Sequence, residues 1–305
     1  MQAIAQKFGL VCILYTLFCC SCSKNDAVTL VDPLYKDLQL SCGADFEIPM
    51  LTANWNIESV QYLPSGETMP DKDGNPLALA GHGTAEAANG WLVLVRNSND
   101  TFILNLKENF DKSNERKFII CINDAGRRDY ITVVQQAAPS YELVKYEFTE
   151  INEQRNIYTS NAECTPVILN NNKAEAVWKP TGTIFEKVAE RSVFESDSYG
   201  AFSWMPDGGI EIKVPELIID NNICWNNRCI YKKGTTTVPF IKDIPNGNKI
   251  LVPPHETIYL SGEVTYCKRI CNYTFTIRNT ASGTQFTISG IWTQIIPISS
   301  NTISF

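Results

Sequence analysis

From position 37 to 137 the chain reads as short runs in which apolar and polar residues alternate, each broken after a few residues by Gly, Pro, Asn or Asp. A period of two puts successive side chains on opposite faces of a strand, and turn signals every 8 to 12 residues are what an all-β sandwich requires. In the run 101–106, Phe102, Leu104 and Leu106 share one face while Ile103 and Asn105 share the other. The alternation predicts strands at 38–42, 45–49, 55–62, 91–96, 101–106, 118–123 and 130–135.

The same pattern resumes after Ala137-Ala138-Pro139-Ser140, which marks a domain boundary. Further strands are expected at 142–148, 176–180, 209–214, 223–231, 257–260, 263–266, 273–278, 285–289 and 291–296. The stretch 185–194 has Phe185, Val188 and Ala189 at helical spacing, so one or two helical turns are expected there. A chain of 305 residues is comfortable for two domains. The expected fold is all-β, two tandem β-sandwich domains at 37–138 and 141–305.

Ahead of them, Lys7 is followed by the apolar run Phe8 to Cys20. As a helix such a run spans about 20 Å, short of the roughly 30 Å hydrocarbon core of a bilayer, so it suits an export signal rather than a permanent span. Cys19, Cys20, Ser21 and Cys22 resemble a lipobox, with small Ser21 before the cysteine that would carry the lipid. Residues 1–21 are then a lipoprotein signal peptide, Cys22 the lipidation site, and 22–36 a lipidated N-terminus and linker. Ser23-Lys24-Asn25-Asp26 looks like the polar stretch that follows the lipid cysteine in surface lipoproteins of the Bacteroidetes. The resemblance implies an outer-membrane, surface-exposed protein held to the membrane through Cys22.

Trp91, the run 101–106, Asn109 and Arg116 leading into 118–122, and the closing Ile131-Thr132-Val133-Val134-Gln135-Gln136 resemble the BACON family. These are immunoglobulin-like modules common in lipoproteins and glycan-degrading enzymes of gut Bacteroidetes. Members are proposed to bind carbohydrate or mucin, or to act as spacers, and the family supplies no fixed ligand residues to carry over. The resemblance implies an immunoglobulin-like fold for the first domain.

Charge narrows the partners. Lys and Arg number 26 against 33 Asp and Glu, a formal charge of −7 with no polybasic stripe, which argues against nucleic acid. Only His82 and His255 are available as imidazole bases, each flanked by loop residues, so no enzymatic activity and no cofactor are expected. Asp71-Lys72-Asp73-Gly74-Asn75 has part of a calcium loop but lacks the distal Glu, and reads as a turn. The polar segment 65–89 around it is long for a sandwich connection, which makes it either functional or loosely held.

Seven cysteines follow Cys22: Cys42, Cys121, Cys164, Cys224, Cys229, Cys267 and Cys271. In an exported protein Cys224 with Cys229 and Cys267 with Cys271 are candidate disulfides across hairpin ends, and Cys42 with Cys121 a long-range one. Free thiols, or a thiolate zinc site built from C-x4-C and C-x3-C, are the alternatives. Sugar binding would use aromatic rings beside planar polar groups. Trp225, Asn227 and Arg228 at one expected hairpin tip, and Trp204 before the Gly208-Gly209 turn, have that make-up. The expected role is a non-enzymatic binding or presentation module, for a polysaccharide or mucin glycan. The alternative is a structural or adhesive module whose partners are other envelope proteins.

Overall fold

The computed structural model describes residues 29–225, 228–240 and 249–305, and the expected signal peptide and Cys22 lie outside them. Among the described residues no helix is long and apolar enough to cross a membrane. The chain divides into two compact units between Pro139 and Ser140.

The first unit has β1 (Asp37–Leu40), β2 (Ala44–Pro49), β3 (Asn56–Tyr62), β4 (Gly83–Glu86), β5 (Leu92–Arg96), β6 (Thr101–Leu106), β7 (Arg116–Asp124) and β8 (Arg127–Gln135). They form two four-stranded sheets, ordered β1-β8-β7-β3 and β2-β6-β5-β4. β1 runs parallel to β8, whereas every other pairing here is antiparallel. This division of strands between two sheets is the immunoglobulin arrangement. The alternation decides which side chains are inside. Phe102, Leu104, Phe118, Ile120, Ile131 and Val133 are buried on the facing surfaces, with Trp55 closing one end.

The residues that carry the family resemblance hold strand ends together. The Arg116 guanidinium stands 4.7 Å from the Trp91 ring and donates to Gln135 Oε1 at 3.1 Å. Gln135 Nε2 donates to the carbonyls of Cys42 and Lys107, and Asn109 Nδ2 donates to those of Asn114 and Gln136. All of these are framework contacts, because buried backbone carbonyls need donors.

The segment 65–89 is packed rather than loose. Met69, Leu77 and Leu79 are buried, and isolated bridges tie it to β3 at Ile57 and Gln61. Asp71 Oδ1 accepts from the backbone N–H groups of Asp73 and Asn75, which is an Asx turn with the carboxylate spent on its own backbone.

Residues expected as linker also belong to this unit, since Leu30 and Val31 are fully buried. Their N–H groups donate to Asp129 Oδ2 at 2.9 and 3.3 Å, and Lys36 Nζ sits 2.8 Å from Oδ1. Burial acts to raise the Asp129 pKa, but the Lys36 ammonium and the three backbone donors outweigh it and hold the carboxyl below its usual range. Such a group stabilises the fold above its unfolded pKa of about 3.9, and the contribution is lost as pH falls through the folded value. Asp129→Asn is expected to lower unfolding free energy by about 2 kcal/mol at pH 7. In urea titrations the gap between the two proteins should start to narrow below about pH 4 and keep narrowing as the pH falls further.

The second unit has β9 (Tyr141–Glu150), β10 (Asn156–Ser160), β11 (Val167–Asn170), β12 (Val177–Pro180), β13 (Ala189–Glu195), β14 (Ile210–Lys213), β15 (Leu217–Ile219), β16 (Asn222–Trp225), β17 (Arg228–Tyr231), β18 (Gly234–Pro239), β19 (Lys249–Val252), β20 (Thr257–Asn279) and β21 (Gln285–Ser304). One seven-stranded sheet runs β10-β20-β21-β13-β18, with β9 and β11 also on β20. The ribbons β14-β17, β15-β16 and β12-β19 are separate two-stranded sheets. Leu217 and Cys224 of the β15-β16 ribbon pack with Cys267 and Ile296 of the large sheet. Tyr231 of the β14-β17 ribbon lies among Phe194, Tyr273 and Phe275 at 4.8 to 5.9 Å. These two ribbons thus supply a second layer over the large sheet.

Three expectations change here, the first being the single strand expected at 223–231, which is two strands, β16 and β17, on different partners. Residues 185–194 hold a single 3-10 turn, Gly182–Phe185, and then the strand β13. The expected strands 257–260, 263–266 and 273–278 are one continuous strand, as are 285–289 and 291–296.

A candidate binding groove in the second unit

The residues between β13 and β14 form a loop pinned to β21. Ser196 Oγ and Ser198 Oγ donate to the Ser289 carbonyl, and Ser289 N donates back to Ser198 Oγ. The Ala201 carbonyl accepts from both Trp204 Nε1 at 2.9 Å and Tyr231 Oη at 2.7 Å. Trp204 is therefore 4% exposed, a pin for the loop and not a ligand platform, contrary to the expectation for it. An indole N–H buried in a core needs an acceptor, and the Ala201 carbonyl is it.

What the pinned loop builds is an open groove of about 490 Å³. Phe202, Met205 and Pro206 give it an apolar lining, and Ser196, Ser198, Ser203, Asp207 and Lys233 its polar groups. Phe202 stacks on Tyr231, with centroids 5.2 Å apart and planes at 27°, so the ring is braced from one side. Tyr231 has its own phenol pushed far up by burial, which keeps it neutral. Asp207 and Lys233 are exposed and make no ion pair among the described residues. A braced aromatic ring with hydroxyls, a carboxylate and an ammonium around it can stack on a pyranose and bond its hydroxyls.

The other sequence-derived site is dispersed. Asn227 and the Trp225 side chain lie outside the described residues. Arg228 is exposed and paired with Glu211 at 2.7 Å. That pair borders a smaller pocket, about 190 Å³, that also contains Glu190, Ser192, Cys229 and Thr236. Cys229 lies 3.0 Å from Ser192 Oγ, and burial pushes its pKa up to about 11. It is a thiol at neutral pH and a poor nucleophile. Cys121 is similar: burial and then the Glu58 charge raise its pKa, while Arg128 pulls the Glu58 carboxyl down to about 2.

The expected disulfides do not form, and all seven described cysteines are free. Cys267 and Cys271 lie on the one strand β20, four residues apart, so about 13 Å separates their Cα atoms where a disulfide tolerates about 7. Cys224 and Cys229 sit on strands that pair with different partners, β15 and β14, rather than with each other. Cys42 follows the Leu40–Gln135 end of its sheet, while Cys121 opposes Tyr130, five residues along β8. Among the described residues no three His, Cys, Asp or Glu side chains converge as a metal site. His82 and His255 are both exposed, the latter with a φ of 58°.

A polar groove of about 520 Å³ in the first unit, with Ser113, Asn114, Glu115 and Lys117, has no aromatic ring in its lining. The groove at Phe202 is the better-equipped of the two. Sequence reasoning reached its loop through Trp204 and missed Phe202, two residues earlier.

No protein-family model matches the chain, and no curated protein matches it. Among solved structures, the NMR structure of a protein from Bacteroides thetaiotaomicron is 18% identical, covering 39% of this chain and 98% of its own, with a TM-score of 0.26. A lamprey immune protein is 10% identical, covering 88% of each chain, with a TM-score of 0.33. The Dpr2 Ig1-Ig2 complex with DIP-Theta Ig1-Ig3 gives 8% identity over 91% of this chain and 93% of that one, with a TM-score of 0.23. These are distant likenesses of backbone, and the all-β sandwich fold rests on the strand pairings themselves.

Proposed function

We propose that the chain is a non-enzymatic envelope lipoprotein, anchored to the outer membrane through Cys22 and exposed at the cell surface, that binds a glycan in the groove at Phe202. The carrying observation is the braced Phe202 ring with Ser203, Asp207 and Lys233 around it in an open groove. Mucin-type and plant polysaccharides are the classes to try first, following the resemblance of the first unit. The intact chain is expected to bind at least one such class on a glycan array. A blank array across mucin, pectin, xylan and glucan classes would contradict the reading.

A second reading, an adhesive module with a protein partner, is favoured by one observation. β18 ends the seven-stranded sheet, and its outer edge pairs with no described strand, so a strand from another chain could add there. Binding to envelope extracts that a proline at Thr235 or Thr237 abolishes would favour it over the glycan reading.

A further inference from the structure

We infer that one ribbon of the second unit carries a membrane-contacting face, whose partner is the interfacial region of a lipid bilayer. β11 pairs with the start of β20, and β12 with β19, so the two ladders follow one another along the same pair of chain segments. Apart from Lys179, their inward positions are apolar, with Leu260 and Val252 buried and Val167, Leu169, Ile250 and Ile258 packed against the core around Ile184 and Phe185. Period two then sends the intervening positions outward, where polar residues are the usual occupants.

Here two of the four outward pairs are large and apolar. Ile168 faces Tyr259 and Trp178 faces Leu251, at 59%, 53%, 62% and 42% exposure. Single exposed apolar residues are ordinary, but two directly opposed pairs on one face are not. Between the pairs, Thr257 Oγ1 donates to Asn170 Oδ1 at 2.8 Å, so these two satisfy one another. No carboxylate occupies a paired outward position, and the one charge is Lys249, opposite Pro180.

The choice of partner follows from area and composition. Four side chains exposed to this degree offer on the order of 400 Å² of apolar surface. A stable protein interface needs about 800 Å² from each partner, about twice what this face offers. Trp and Tyr settle at the level of lipid headgroups, where strand edges stay hydrated, and a lone lysine suits anionic headgroups. This contact is independent of what fills the groove at Phe202.

The test uses the intact chain with vesicles of phosphatidylcholine and phosphatidylglycerol at a ratio of about 3:1, some of the phosphatidylcholine brominated on its acyl chains. Trp55, Trp91, Trp204 and Trp292 are buried, so Trp178 is the exposed described indole. Bromolipid is expected to quench tryptophan emission. Trp178→Phe should remove at least half of the quenched component, and Leu251→Ser with Tyr259→Ser should cut it at least twofold. Absent quenching, or equal quenching in wild type and Trp178→Phe, would overturn the inference. Dimerisation that the Leu251→Ser, Tyr259→Ser protein loses, without quenching in wild type, would assign the face to a second copy and overturn it as well.

Discussion

Arg269→Ala is expected to lower the unfolding free energy of the second unit by about 3–5 kcal/mol, the cost of leaving a buried charge network without one of its partners. Arg269 is fully buried on β20, and burial lowers its pKa. Its Nε donates to Gln294 Oε1 at 2.8 Å, and Gln294 Nε2 donates to Glu190 Oε1 at 2.6 Å, so an amide relays between guanidinium and carboxylate. The remaining nitrogens bond the Pro215 and Glu216 carbonyls, and the guanidinium stands 4.9 Å from the Trp292 ring. Alanine strands every one of these groups. Arg269→Met combined with Glu190→Gln should recover at least about 1 kcal/mol relative to Arg269→Met alone, because the paired change removes both charges. Urea titrations of the four proteins measure this. A loss under about 1 kcal/mol for Arg269→Ala would mean that water reaches the network.

The second large effect is expected from one methyl group. A Cβ built on Gly290 would lie 2.1 Å from the Glu195 carbonyl oxygen and 2.7 Å from Tyr273 Oη, inside the contact distance of either. Gly290 sits opposite Tyr273 in the β20-β21 ladder, at the point where β13 approaches, and Tyr273 Oη donates to that same carbonyl. Gly290→Ala must push β13 aside or break this bond, for a loss of about 3 kcal/mol. At Gly66 a Cβ would meet nothing within 4 Å. The φ of 73° there leaves only backbone strain, so Gly66→Ala should cost about 1 kcal/mol and serves as the comparison. Equal midpoints for Gly290→Ala and wild type would contradict the close approach.

The same glycine shows where the sequence stops being legible. Breaks expected at Gly262, at Gly290 and at the Cys267 to Cys271 hairpin divided two long strands into five, yet the cysteines and both glycines lie within continuous strands. In each case glycine is required because another segment packs where a side chain would be; at Gly262 the neighbours are Ile184, Phe185 and Cys164. β13 was obscured differently. Its inward positions include Glu190 and Ser192, which belong to the polar network, so the apolar alternation that marks a strand is missing. In the first unit the inward positions of β5 and β6 are apolar apart from Arg96 at the end of β5, and there the period-two reading placed strands to within a residue. At the groove, the turn after Trp204 was legible. Which aromatic would line it was not, because that depends on the Ala201 carbonyl holding the indole inward.

Titration calorimetry of the best-bound oligosaccharide from the array into the intact chain and into Phe202→Ala tests the binding role most directly. One saccharide per chain is expected for the wild type, with affinity falling at least tenfold, about 1.4 kcal/mol, in Phe202→Ala. Arg228→Ala, which touches only the smaller pocket, should bind as wild type does. Equal affinity in wild type and Phe202→Ala would contradict the assignment of the groove.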